Sequence, residues 1–82
     1  MNKYIGKVIE VYIPDEYKNG ELLDIMDRTL LGFKVMTDNG IRDIVVKSNY
    51  DNAKITKGKL VEVTVNGDDI SIMLYEEGNG HW

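Results

Sequence analysis

Apolar and polar residues alternate with a period of two in two stretches of the chain, and each stretch is interrupted by a short run of Asn, Gly and Asp. A period of two is typical of a β-strand with one buried face. Asn-Gly is a preferred pair for the tight turn of a β-hairpin. The pattern therefore predicts two hairpins, one turning at residues 38–40 and the other at residues 66–68.

The register of the first hairpin follows from its turn. With residues 39–40 as a two-residue loop, Val35 faces Ile44 and Phe33 faces Val46. These four apolar residues then lie on one side of the sheet. A slip of one residue would replace them on that side by the mixed polar and apolar residues of the other face, so the alternation constrains the pairing.

In the second hairpin, three valines precede the turn and three aliphatic residues follow it. Either Asn66-Gly67 or Gly67-Asp68 as the two-residue loop keeps all six on one face, and the sequence leaves both turns open. The six residues are Val61, Val63, Val65, Ile70, Ile72 and Leu74.

A third apolar stretch, near the N-terminus, predicts a strand with Tyr4 and Tyr12 on its outer face. The opposite, apolar face consists of Ile5, Ile9, Val11 and Ile13. With the four hairpin arms this gives five strands, at about residues 4–13, 30–37, 41–48, 59–65 and 69–75.

Two connections remain between these strands. Residues 49–58 predict a short turn or a one-turn helix. Residues 14–29 are ambiguous, because Leu22, Met26 and Leu30 have helical spacing in a segment that is short. A short helix and an ordered loop packed onto the sheet both remain open. The side chains that would pack in this way are Leu23, Ile25 and Met26.

Composition limits the class of protein. The chain has 82 residues, a hydrophobic fraction of 43% and a net charge of −4, which predicts one folded domain over residues 1–77 with a flexible tail at 78–82. The absence of cysteine excludes disulfides and thiolate metal sites. No stretch approaches the roughly 18 apolar residues of a membrane helix, and the N-terminus lacks a signal-peptide pattern, so we expect a cytoplasmic protein.

The segment Thr-Lys-Gly-Lys-Leu-Val-Glu-Val-Thr-Val, residues 56–65, leads into Asp-Asp-Ile-Ser-Ile-Met-Leu, residues 68–74. It resembles the closing half of an oligonucleotide/oligosaccharide-binding (OB) fold, in which Lys-Gly and alternating valines open the fourth strand. The resemblance implies an all-β, small five-stranded antiparallel barrel. The long acidic connection at 14–29 departs from the OB pattern, and an Src-homology-like barrel is the alternative.

Candidates for catalysis are few. His81 lies next to the C-terminus, and Ser48 and Ser71 have no neighbouring base in the sequence. A general base must be held within hydrogen-bond reach of its target by a rigid surround. We therefore expect no catalytic residue, no metal site and no cofactor, and interpret the chain as a noncatalytic binding or adaptor module.

The OB resemblance implies that the second and third strands face a single-stranded nucleic acid. The nucleic-acid candidates are Lys34 and Lys47 on the outer face, Arg42 near the turn, and Tyr4 and Tyr12 as stacking surfaces. The net negative charge opposes this interpretation, because nonspecific affinity depends on phosphate neutralisation.

A protein partner is the rival interpretation. Leu30, Met36, Ile41 and Val45 are apolar residues expected on the outer face of the first hairpin. An uncovered apolar patch of this kind often marks a partner site. We place a protein partner first, a single-stranded nucleic acid second, and an accessory role beside an enzyme third.

Overall fold

The computed structural model describes residues 1–75. The tail predicted at residues 78–82 and the end of the predicted domain lie outside this range. The strands are β1 (Asn2–Tyr12), β2 (Tyr17–Lys18), β3 (Glu21–Leu22), β4 (Leu30–Thr37), β5 (Gly40–Lys47), β6 (Leu60–Asn66) and β7 (Asp69–Leu74). Two 3₁₀ turns cover Ile25–Asp27 and Asn52–Lys54.

Five strands form one antiparallel sheet in the order β5-β4-β1-β6-β7, and β2 pairs with β3 separately. The all-β class and all five predicted strands are therefore confirmed. Within residues 1–75, β5 pairs with β4 alone and β7 with β6 alone. These two edge strands approach each other, but no ladder joins them. Neither helical segment in this part of the chain is long enough to cross a membrane.

The first hairpin keeps the predicted faces but not the predicted pairs. Phe33 faces Ile44 and Thr37 faces Gly40, so the loop is residues 38–39. Gly40 has a φ of +105°, whereas neither loop residue has a positive φ. A type I′ turn requires a positive φ at both loop residues, so this turn is not the expected type I′ turn. The shift is two residues, so each side chain stays on its predicted face.

The second hairpin turns at Gly67-Asp68, because Asn66 pairs with Asp69. Gly67 has a φ of +63° and is the first central residue of the turn. A type II′ turn requires glycine at this position. The six aliphatic residues share the core face as predicted, with Val63 opposite Ile72.

A bulge in β1 corrects the predicted faces of that strand. The register with β4 shifts between Val8 and Glu10. Before the bulge, Val8 is buried and Tyr4 packs against the core, whereas Ile5 is exposed. The assignment of Ile5 to the core face and of Tyr4 to the outer face was therefore wrong. Beyond the bulge Tyr12 does lie on the outer face, opposite Gly32.

The core lies on one face of the curled sheet and includes Ile55 from the connection between β5 and β6. Asn52 holds this connection in place. Its amide nitrogen donates to the Lys47 carbonyl at 2.8 Å, and its side-chain oxygen accepts from the Asn49 N–H at 2.9 Å. The buried core residues are Val8, Phe33, Val35, Ile44, Val46, Ile55, Val61, Val63 and Ile72.

Gly6 is required by close approach of β4. A Cβ atom at this position would overlap the Val35 side chain and lie 2.7 Å from the Met36 carbonyl oxygen. Gly6→Ala is therefore expected to lower the free energy of unfolding by about 1–3 kcal/mol, the usual cost of overpacking. Chemical denaturation would measure it, with the exposed Ser71→Ala as the control. An unchanged stability of Gly6→Ala would contradict this close packing.

Candidate functional site

Side chains on the outer face, opposite the core, form rows that run across the strands. Met36 of β4 faces Ile41 of β5 on one side and Lys7 of β1 on the other, and Lys7 also faces Leu60 of β6. In the next row, Ile5 of β1 faces Glu62, which faces Met73 of β7. We call these two adjoining rows the outer apolar rows. Their members are Ile41, Met36, Lys7, Leu60, Ile5, Glu62 and Met73.

The outer apolar rows present large side chains to solvent. Met36 is 46% exposed and Ile41 is 56% exposed. An antiparallel sheet with one face on a core normally carries polar residues on the other face. Five of the seven positions in these rows are instead apolar and exposed.

Polar rows border the outer apolar rows on both sides. On one side Lys34 lies between Asp43 of β5 and Glu10 of β1, with its Nζ 3.9 Å from the Glu10 Oε1. On the other side Thr64 lies between Lys3 and Ser71. An apolar centre with a polar rim is the usual composition of a protein interface.

The structure does not bring the three cationic nucleic-acid candidates together. Lys34 is flanked by two carboxylates on the outer face. Lys47 pairs with Leu30 at the other end of β5, where its charge helps to lower the pKa of Glu16. Arg42 faces Val35, a core residue, and therefore extends from the core side of the sheet.

Arg42 and Tyr4 meet in a cleft between the edge strands β5 and β7, with a volume of about 570 Å³. Its walls include Ile70, a core-face residue that is still exposed, and a second cleft beside the 38–39 turn shares Tyr4 and Arg42 with it. Arg42 and Tyr4 thus lie apart from Lys34 and Lys47, which are on the outer face of the sheet. The lining residues are Asn2, Tyr4, Ile41, Arg42, Asp43, Ile44, Val65 and Ile70.

Tyr12, the other aromatic candidate, lies across Gly32 and donates a hydrogen bond to the Asp43 carboxylate. This hydrogen bond raises the pKa of Tyr12 to about 12, with further contributions from desolvation and from the charges of Asp43 and Glu10. The neutral phenol therefore stabilises the fold below its ordinary pKa of about 10, and this contribution is lost as the pH rises through 12.

The four protein-interaction candidates separate into two groups. Met36 and Ile41 form a cross-strand pair in the outer apolar rows. Val45 faces Gly32, beyond the charged row, and the half-buried Leu30 faces Lys47 at the base of the 13–29 connection. Lys7 and Leu60 complete the first of the two rows, and the sequence did not predict them there because the pairing of β1 with β6 was not predicted.

The connection between β1 and β4, residues 13–29, has no helix longer than the 3₁₀ turn at Ile25–Asp27 and forms no layer on the sheet. Its strands β2 and β3 make a miniature hairpin, in which Tyr17 faces Leu22. Asn19 and Gly20 both have a positive φ, as a type I′ turn requires. The Asn-Gly pair was present in the sequence as a turn signal, and it identifies this hairpin.

Arg28 and Glu16 hold the 13–29 connection in shape. The Arg28 guanidinium, nearly buried, donates from Nε to the Leu23 carbonyl at 2.9 Å and forms a 3.5 Å ion pair with Asp15. The Glu16 carboxylate accepts bonds from the Thr29 N–H at 2.7 Å and the Thr29 hydroxyl at 2.9 Å. The Thr29 N–H bond is the main cause of the lowered pKa of Glu16.

The ordered connection displays apolar side chains to solvent. Met26 is 95% exposed and Ile25 is 63% exposed, so the expectation that these two pack onto the sheet was wrong. Leu23 alone of the three expected side chains is half-buried. Together with the pair Tyr17 and Leu22, Ile25 and Met26 form a set that we call the tip residues.

Searches of protein-family models, curated proteins and solved structures found no match to this chain. The interpretation of these surfaces therefore depends on their geometry and chemistry.

The contact of Tyr12 with Gly32 predicts that Gly32→Ala lowers the stability of the wild type but raises it when the Tyr12 ring is absent. Gly32→Ala should destabilise the wild type by about 1–3 kcal/mol, because the new methyl group displaces the Tyr12 ring. In a Tyr12→Ala background the space is open, and the same change should stabilise by about 0.5–1 kcal/mol through the strand preference for alanine over glycine. Urea denaturation of the four proteins would measure both effects. Equal costs in both backgrounds would show that the ring does not occupy this space.

The Glu16 network predicts a pH-dependent effect of Glu16→Gln. Because the folded pKa is lowered, the carboxylate contributes fully above the ordinary glutamate pKa of about 4.3. Its contribution is lost as the pH falls through the folded value. The variant should therefore melt at a lower temperature than the wild type at pH 7, and the difference should shrink on acidification. A difference independent of pH would exclude the ionised carboxylate as its cause.

Proposed function

We propose that the chain is a noncatalytic protein-binding module that uses the outer apolar rows as its contact surface. The observation that carries the proposal is the exposed pair Met36 and Ile41, with Ile5, Lys7 and Leu60 beside it, between two polar rows. A protein partner would remove this apolar area from water, at roughly 25 cal/mol per Å² of gross gain.

The sheet supports this role because it fixes the contact residues before a partner arrives. Met36, Lys7 and Leu60 lie on three hydrogen-bonded strands whose opposite face is the buried core. A surface fixed in this way loses little conformational entropy on binding. The module would then contribute a contact surface to an assembly. An accessory subunit that binds an enzyme is one example of this role.

We further infer an OB-like topology. The central strand β1 is flanked by the first strand of each hairpin, and the second strands, β5 and β7, approach each other across an open seam. An OB fold is a five-stranded, partly open barrel. The Src-homology-like barrel is the alternative, and the flanking of β1 by both hairpins favours the OB-like order.

Single-stranded nucleic acid is the second ligand class. The arrangement of charge disfavours it, because Lys34 lies between Glu10 and Asp43, and Lys47 lies close enough to Glu16 to affect its pKa. A phosphate chain along this face would meet carboxylates beside each of these lysines. A protein partner carries both signs of charge, so it can place cations beside these carboxylates and carboxylates beside the lysines.

Site-specific photo-crosslinking in the source cells tests the proposed surface. With p-benzoylphenylalanine in place of Ile5, a discrete protein adduct should form. Met36→Asp or Ile41→Asp should abolish that adduct, since each buries a charge in the contact. The protein identified by mass spectrometry should then bind the purified wild type and not the two variants.

Thr56 provides the control, because it is exposed in the connection between β5 and β6 and lies outside the outer apolar rows and the polar rows beside them. The photo-crosslinker at Thr56 should give no equivalent adduct, and Thr56→Asp should leave the adduct from Ile5 intact. Adducts that survive Met36→Asp in a folded variant would refute the proposed surface. Saturable, salt-sensitive binding of single-stranded DNA or RNA that is lost in Lys34→Glu or Lys47→Glu would favour the nucleic-acid alternative.

A further inference from the structure

We propose that the 13–29 connection is a second docking element and that it binds a basic protein segment carrying apolar side chains. The proposal concerns a different surface from the outer apolar rows. Its basis is the combination of exposed apolar side chains, an ordered backbone and a surround of carboxylates.

The tip residues are exposed although the backbone that carries them is ordered. Met26 and Ile25 belong to the 3₁₀ turn that Arg28 closes, with the Arg28 N–H donating to the Ile25 carbonyl at 3.2 Å. The pair Tyr17 and Leu22 is held by the β2–β3 hairpin. The backbone that carries these four side chains is therefore already ordered before binding. A partner would lose less free energy to ordering this segment, as in a preorganised binding surface.

Nothing in residues 1–75 covers the tip residues. Tyr17 is 64% exposed, and Met26 has nearly its whole surface in water. Leu23, their neighbour, is half-buried within the connection, and its N–H donates to the Glu16 carbonyl at 2.8 Å. The exposed side chains are thus additional to those that the fold uses.

The charge around the tip residues identifies the partner as basic. Residues 13–29 carry five carboxylates and two cations, and one of these cations, Arg28, is nearly buried against Asp15. The other, Lys18, faces Glu21 across the miniature hairpin. A segment with lysine or arginine beside its apolar side chains matches this surface, whereas an acidic segment or an anionic lipid surface is repelled.

A groove on the connection combines both features. It has a volume of about 430 Å³, and its walls include two leucines, three acidic residues and one lysine, namely Leu22, Leu23, Glu21, Asp24, Asp27 and Lys18. An apolar side chain can contact the leucines while a neighbouring guanidinium or ammonium group pairs with the carboxylates.

Peptide titration followed by nitrogen–proton NMR tests the proposal. The probe is a short peptide in which Arg alternates with Leu, and the matched peptides replace Arg by Glu or Leu by Ser. The Arg/Leu peptide should shift the amide signals of residues 17–27, and its affinity should fall as salt is added. Each matched peptide should bind with an affinity at least about tenfold lower than that of the Arg/Leu peptide.

Three variants of the full chain show which surface binds the Arg/Leu peptide. Ile25→Ser with Met26→Ser removes apolar contact at constant charge, and Asp24→Asn with Asp27→Asn removes charge while leaving the apolar side chains in place. Each double variant should weaken the Arg/Leu peptide at least fivefold, with the circular dichroism spectrum unchanged. Met36→Ser should bind the peptide as the wild type does.

Three results would overturn the inference. The first is equal binding of the Arg/Leu and Glu/Leu peptides, and the second is absence of shifts in residues 17–27 at low salt. The third is loss of binding in Met36→Ser with retention in both double variants, which would assign the peptide to the outer apolar rows and leave the proposed function standing. Conversely, failure of the crosslinking at Ile5 has no bearing on the tip residues, so the two surfaces are tested separately.

Discussion

One strand serves both halves of the sheet, and the rest of the structure depends on how it bends. Residues Asn2–Lys7 of β1 pair with β6, and residues Lys7–Tyr12 pair with β4. Gly6 allows β4 to approach closely, and the bulge after Val8 turns the strand where its partner changes. Bulges increase local twist and bend a strand in this way. The two hairpins can then curl toward each other around a single core.

The bend also determines what the surface carries. Before the bulge β1 contributes Ile5 and Lys7 to the outer face, and after it the same strand contributes Glu10 and Tyr12. Apolar rows, a charged row and the Tyr12–Gly32 contact therefore succeed one another along one sheet. The 13–29 connection leaves this sheet at its far end, with Met36 and Leu30 about 20 Å apart along β4 at the usual strand rise. Two contact surfaces with different chemistry thus share one small core.

Local signals in the sequence predicted the hairpins well, because alternation and turn residues act within a few positions. The alternation alone placed Val61, Val63 and Ile72 on one apolar face, and all three are buried. The same reasoning failed at Tyr4 and Ile5, because a bulge reverses the alternation and has no clear sequence signal. It also overlooked the Asn19-Gly20 turn, where the flanking strands are two residues each and too short to show alternation. Rows that combine Met36, Lys7 and Leu60 require the pairing of β1 with β6, which only the folded chain reveals.

The pairing of Asn2 with Val65 has a consequence for synthesis on the ribosome. The strands β1, β4 and β5 emerge first and can pair, but the core side chains Val8, Phe33 and Val35 then face water on one side. Burial is completed when the β6–β7 hairpin leaves the exit tunnel, because its valines form the other wall of the core. Folding of such long-range pairs is intrinsically slow. The chain therefore exposes an apolar half-sheet until the β6–β7 hairpin pairs with β1, and this is the interval in which a chaperone has a substrate.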